Sequence, residues 1–128
     1  MSYYFSKNSK LDFDQTIEAV TAALGQEEFG VLSVIDLQAK IKEKLGKDIP
    51  RYKILGACNP TFAFLALQAE PHIGTMLPCN VIVRDLQDGK VEVSAVDPVA
   101  SMQAVGNSDL YETAEMIKEK LKRVIAAI

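Results

Sequence analysis

The chain has 128 residues, 48% hydrophobic and 24% charged, with 14 Lys and Arg against 17 Asp and Glu for a formal charge of −3. This length fits one globular domain able to bury a core without covalent staples. The apolar content excludes disorder, 7 Gly and 5 Pro exclude collagen-like or low-complexity character, and a negative chain without a Lys/Arg cluster argues against nucleic-acid binding.

Met1 to Lys10 is polar and lacks the apolar run of a secretory signal. Nothing approaches the roughly 18 apolar residues that cross a bilayer, so no membrane span is expected. Two cysteines in a domain that needs no staples point to free thiols and a cytoplasmic protein.

Tyr3 to Lys7 is short and aromatic, which suits a strand. Asp12 then caps a helix whose apolar face is Phe13, Ile17, Val20 and Leu24, at spacings of 4, 3 and 4. After Gly25 and the acidic Gln26-Glu27-Glu28, Phe29 to Ile35 is rich in Val, Leu and Ile and reads as a strand. Asp36 caps a second helix carrying Leu37, Ile41 and Leu45, which Gly46 ends in the left-handed conformation.

Tyr52 to Ala57 is the next strand, and Asn59-Pro60 starts a helix to Glu70. Asn is a strong N-cap, and Pro at the first helical position loses no needed N–H. That helix is apolar nearly all round, which predicts burial on most sides or an interface. Pro71 stops it. Cys79 to Leu86 and Lys90 to Val96 form a hairpin about Asp88-Gly89. Asp97-Pro98 repeats the cap-then-proline device for a short helical turn ended by Gly106. Asn107 and Ser108 cap the last helix, with Leu110, Ala114, Ile117, Leu121, Val124 and Ile128 inward and a Glu119–Arg123 pair outward.

No repeat, linker or composition break interrupts residues 1–128, which read as a single domain. The order is β-α-β-(α)-β-α-β-β-α. The hairpin is antiparallel by construction, and the glycine motifs of dinucleotide and P-loop folds are absent, so no cofactor is implied. The expected fold is α+β, a mainly antiparallel sheet with helices packed on one face.

Two corners carry the candidate chemistry: Ala57-Cys58-Asn59-Pro60 and Pro78-Cys79-Asn80. If their strands are antiparallel, both thiols lie at one end of the sheet. Cys58 precedes a helix N-cap, where the dipole favours thiolate, and is the candidate nucleophile or redox thiol. Cys79 falls in period with Val81 and Val83, which predicts the buried face, where cysteine acts as a small hydrophobe. Asn59, Asn80, Glu70 and Asp97 are candidate ligand-binding residues. Glu70, at a helix end where its charge opposes the dipole, points to a specific partner such as the backbone N–H of Asn80 or Val81. Asp97 also reads as a cap. Gly56 and Gly74 mark positions of turning or close approach. Cys58, Cys79, His72 and Glu70 form a weak zinc, iron or copper ligand set, since no paired ligand spacing supports it.

At Ile54-Leu55-Gly56-Ala57-Cys58-Asn59-Pro60, Ala66-Leu67-Gln68-Ala69-Glu70-Pro71, Ile73-Gly74 and Leu77-Pro78-Cys79-Asn80-Val81, the chain resembles the family catalogued as domain of unknown function 302. The resemblance extends to Phe29-Gly30-Val31-Leu32, Ile35-Asp36 and Asp97-Pro98. It implies a TATA-binding-protein-like (TBP-like) sheet backed by helices and a homodimer, with no activity attached. The family's motif residues carried over are Cys58, Asn59, Pro60, Glu70, Pro71, Gly74, Pro78, Cys79 and Asn80; His72 is not among them. A fold likeness to a DNA-binding protein does not carry DNA binding. Three readings follow: a small-molecule or thiol-chemistry site at the Cys-Asn corners of a homodimer, a non-catalytic structural homodimer, and a soft-metal carrier.

Overall fold

In a computed structural model describing residues 2–128, side-chain caps write the helix starts as the sequence predicts. Asp12 Oδ1 accepts from Gln15 N at 2.8 Å, Asp36 Oδ1 from Ala39 N at 2.9 Å, Asn59 Oδ1 from Phe62 N at 3.0 Å, and Asp97 Oδ1 from Val99 N at 2.9 Å. Each satisfies an N–H that the helix itself leaves without a partner.

The elements in chain order are β1 (Tyr4–Ser9), α1 (Phe13–Gln26), β2 (Gly30–Asp36), α2 (Leu37–Leu45), β3 (Tyr52–Cys58), α3 (Pro60–Ala69), β4 (Cys79–Asp85), β5 (Val91–Val96), α4 (Pro98–Met102) and α5 (Tyr111–Ala126). The five strands form one sheet in the order β1-β5-β4-β3-β2. Every neighbouring pair is antiparallel. A turn with Gly89 at φ 81° joins β4 to β5, at the predicted Asp88-Gly89.

Strand alternation sends Leu55, Ala57, Cys79, Val81, Val83, Val93 and Ala95 into the core. Phe13, Val20 and Leu24 of α1, Ala114, Ile117, Leu121 and Val124 of α5, and Phe62 and Ala66 of α3 cover them. All the covering helices lie on this side. The alternate residues Tyr52, Ile54, Ile82, Arg84 and Glu92 stay partly exposed on a second, uncovered face. The α+β architecture with helices on one face is therefore the one the sequence predicts.

α1 runs through Gly25 to Gln26, and the reversal is made by Glu28 at φ 68°, which lets Phe29 N donate back to Leu24 O at 2.9 Å. Of the two expectations for α3, enclosure does not hold: only Phe62 and Ala66 are buried, while Phe64, Leu65 and Leu67 face outward at 63%, 49% and 44% exposure. Two local expectations are corrected. Arg123 pairs across to Glu27 at 2.9 Å instead of with Glu119, which approaches Lys122. The α1–β2 turn brings the Glu27 carboxylate to α5, and one guanidinium takes the better-placed partner. Last, Asn107 caps a separate single turn, Ser108–Leu110, ahead of α5.

Candidate functional site

The two cysteine corners share one end of the sheet. β3 ends at Cys58 and antiparallel β4 begins at Cys79, with Ala57 opposite Cys79 and Gly56 opposite Asn80. The pleat then separates the two sulfurs. Cys79 lies with Ala57 and Val81 on the buried side, and Cys58 falls in the alternate set with Gly56 and Ile54. Both thiols are free, Cys58 half-buried and Cys79 buried. Burial, with a smaller contribution from nearby Cys58, pushes the Cys79 thiol up to about 11. Cys79 is thus a protonated thiol at neutral pH, and Cys58 is the more accessible of the two.

Gly56 is required by close approach. A Cβ there would overlap Ser33 Oγ and lie 2.8 Å from Pro78 Cγ, so β2 and the segment leading into β4 close over the strand. Gly74 has open space around it and lies instead where the chain turns, in the 3-10 segment Pro71–Met76.

The other predicted ligand-binding groups divide. Asn59 is 7% exposed and its side-chain Oδ1 is occupied by the α3 cap. Asp97 accepts from Val99 N and Ala100 N and meets Lys118 Nζ at 3.4 Å. Glu70 does not reach Asn80 or Val81. Its Oε2 accepts from His72 N at 3.3 Å and lies 3.5 Å from His72 Nδ1, because Pro71 turns the chain back immediately into a 3-10 segment, Pro71–Met76. The His72 side chain is 92% exposed. Among the described residues no three His, Cys, Asp or Glu cluster closely enough to hold a metal ion, so the set Cys58, Cys79, His72 and Glu70 is not assembled. The corner asparagines differ: Asn80 is exposed where Asn59 is engaged.

Asn80 stands where two hollows meet. One, of about 440 Å³, lies on the uncovered sheet face between Tyr3, Tyr4, Tyr52, Ile82 and Arg84. The other, of about 220 Å³, is lined by Met76, Pro78, Cys79 and Ser101; Asn80 and Val96 border both. In the larger hollow Arg84 Nε donates to Glu92 Oε1 at 2.8 Å, and Ser94 Oγ donates to the same oxygen at 3.4 Å. The bond from Glu92 holds the Arg84 guanidinium above its usual range, reinforced by the neighbouring Tyr52 and Tyr4. These groups are not among the residues the corners point to. A signal existed: residues equally distant from Asp88 face each other across the hairpin, which sets Arg84 against Glu92 and Ile82 against Ser94.

Fold and hollows together define a small α+β domain built on one antiparallel sheet, shielded by helices on one side and open on the other. The chain belongs to the domain of unknown function DUF302 family, whose model matches residues 5–128. It is similar over 99% of its length, and 98% of the other chain, to the crystal structure of an uncharacterized conserved protein DUF302 from Bacillus stearothermophilus, with 26% identity and a TM-score of 0.92. It is also 24% identical over 94 residues to an uncharacterized protein of Aquifex aeolicus (strain VF5), a match covering 73% of this chain and 59% of that relative. The chain thus spans about three-fifths of the curated relative it matches. Among the described residues no helix is long and apolar enough to cross a membrane.

Proposed function

We propose that this domain binds a small molecule on the uncovered face of its sheet, at the end where the Cys79-Asn80 corner opens. The observation that supports this is the hollow of about 440 Å³, walled by tyrosines and bordered by an unengaged asparagine. Its size lies in the range of ligand pockets, and apolar walls with a few convergent polar groups are the usual composition of such sites. Cys58 is the group at this rim available for thiol chemistry.

The test uses a naphthalene-bearing fluorescent probe, which the tyrosine walls should take up. The chain has no Trp, so probe emission and tyrosine quenching read cleanly. Saturable binding weakened by Tyr52→Ala supports the reading. Absence of binding, or binding indifferent to that substitution, refutes it.

The outward face of α3 favours a second reading, a homodimer. No charged residue interrupts Pro60–Ala69, and Phe64, Leu65 and Leu67 are each about half exposed. At roughly 150–250 Å² per large side chain they offer about 300 Å² of apolar surface. A two-fold axis doubles this to about half of the ~1,200 Å² of a small stable interface, with neighbouring residues left to supply the rim. A second copy of this chain is the partner that such a self-complementary apolar helix face suits. Sedimentation of the wild type and a Phe64→Glu, Leu67→Lys variant tests it: a dimer made monomeric supports the reading, and a monomeric wild type refutes it.

A further inference from the structure

The larger hollow holds two charged side chains, and the way they engage each other selects a ligand class. Arg84 and Glu92 are directly opposed across β4 and β5. Arg84 uses Nε for Glu92, and neither Nη1 nor Nη2 has a hydrogen-bond partner among the described residues. The Glu92 oxygen also accepts from Ser94, so the carboxylate is held from below by the strand it stands on. Glu92 therefore engages the Nε side of the guanidinium and leaves its two-pronged Nη1/Nη2 edge unengaged. That edge matches the two oxygens of a carboxylate, and a pre-oriented fork loses less freedom on binding than a mobile one.

The surroundings add shape. Tyr4 and Tyr52 line the hollow with Arg84, and Tyr3 packs edge-on against Tyr4 with ring centroids 5.1 Å apart. Ile82 forms the apolar floor. Aromatic walls beside an Arg fork suit a ligand with one flat apolar part and one carboxylate.

On these grounds we infer that the ligand of the uncovered sheet face is an aromatic or similarly flat monocarboxylate, its carboxylate gripped by the outer edge of Arg84 and Glu92 acting as the positioning residue for that grip. This rests on the proposed binding face and names the ligand class for it.

The experiment compares naphthylacetate with its neutral isostere naphthylacetamide on wild type, Arg84→Gln and Arg84→Lys, by calorimetric titration of the full chain. The inference predicts that the acid binds wild type about tenfold tighter than the amide, that Arg84→Gln removes the difference, and that Arg84→Lys, which keeps the charge and loses the fork, recovers only part of it. Equal binding of acid and amide to wild type overturns the carboxylate inference and leaves the binding face standing. An acid preference that survives Arg84→Gln overturns the role of Arg84. Failure of both probes to bind overturns the binding face together with the inference. Because Arg84 is a partly exposed side chain on the uncovered face, thermal unfolding of each variant separates loss of binding from loss of fold.

Discussion

Asn59→Ala separates a structural from a ligand-binding role for the first Cys-Asn corner. The Asn59 side-chain Oδ1 accepts from Phe62 N at 3.0 Å, in a residue only 7% exposed, at the start of a helix that supplies Phe62 and Ala66 to the core. Losing an N-cap typically costs about 0.5–2 kcal/mol, towards the upper end where the N–H left without a partner is buried. The expected loss is therefore about 1–2 kcal/mol. For a domain of this size each kcal/mol moves the melting temperature by roughly 3–5 °C, so Tm should fall by roughly 3–10 °C in calorimetry. Asn59→Asp retains an acceptor at the helix N-terminus and should recover most of the loss. An Asn59→Ala protein within 0.5 kcal/mol of wild type by chemical unfolding would refute the capping argument and return Asn59 to the list of free ligand groups.

Gly56→Ala should destabilise by about 1–3 kcal/mol, because the new methyl meets Ser33 Oγ and the Pro78 ring; adding Ser33→Ala should relieve only part of this, as read by urea unfolding. Glu28→Gly should stabilise by about 0.5–1 kcal/mol, since the residue sits at φ 68°, where glycine has no Cβ penalty, and the Lys120 pair it gives up at 3.1 Å involves an exposed carboxylate. The Cys79 thiol is raised from 9.0 to about 11 in the fold, so folding favours its protonated form; this contribution is intact below pH 9 and lost as pH rises towards 11, on the order of 2 kcal/mol. Comparing the pH dependence of unfolding in wild type and Cys79→Ala isolates it, and identical slopes above pH 9 would contradict it. In native protein an alkylating reagent should modify Cys58 well before Cys79, with mass spectrometry of the digested protein as the readout.

Residues whose chemistry is local were legible in the sequence. Asp12, Asp36, Asn59 and Asp97 cap because Asp and Asn oxygens reach an N–H two or three residues on, whatever the tertiary fold. Gly46 and Gly106 end their segments at φ 65° and 70° for an equally local reason. The inward position of Cys79 followed from its period with Val81 and Val83. What stayed hidden depends on distant neighbours. Glu28 takes the left-handed position after α1 at φ 68°, a role that no glycine at that site announced. The apolar surround of α3 predicted either burial on most sides or an interface, and composition alone does not choose between them; its outer residues Phe64, Leu65 and Leu67 lie about half exposed on the outside of the helical layer. Glu70 turned to His72 because Pro71 folds the chain locally before β4 comes within reach. The tyrosines and the Arg84–Glu92 pair were written as alternating outward positions, but alternation does not say which face of a sheet remains uncovered. The corner that named the site was correctly placed at one rim, and the hollow beside it draws on residues from three other strand segments.

The central claim is that ligand binding belongs to the uncovered sheet face, and amide chemical-shift mapping during titration with naphthylacetate tests it most directly. The account predicts shifts concentrated at Tyr4, Tyr52, Asn80, Ile82, Arg84 and Glu92, with α1 and α5 unmoved. Shifts centred instead on the helical layer, or none at saturating probe, would contradict it.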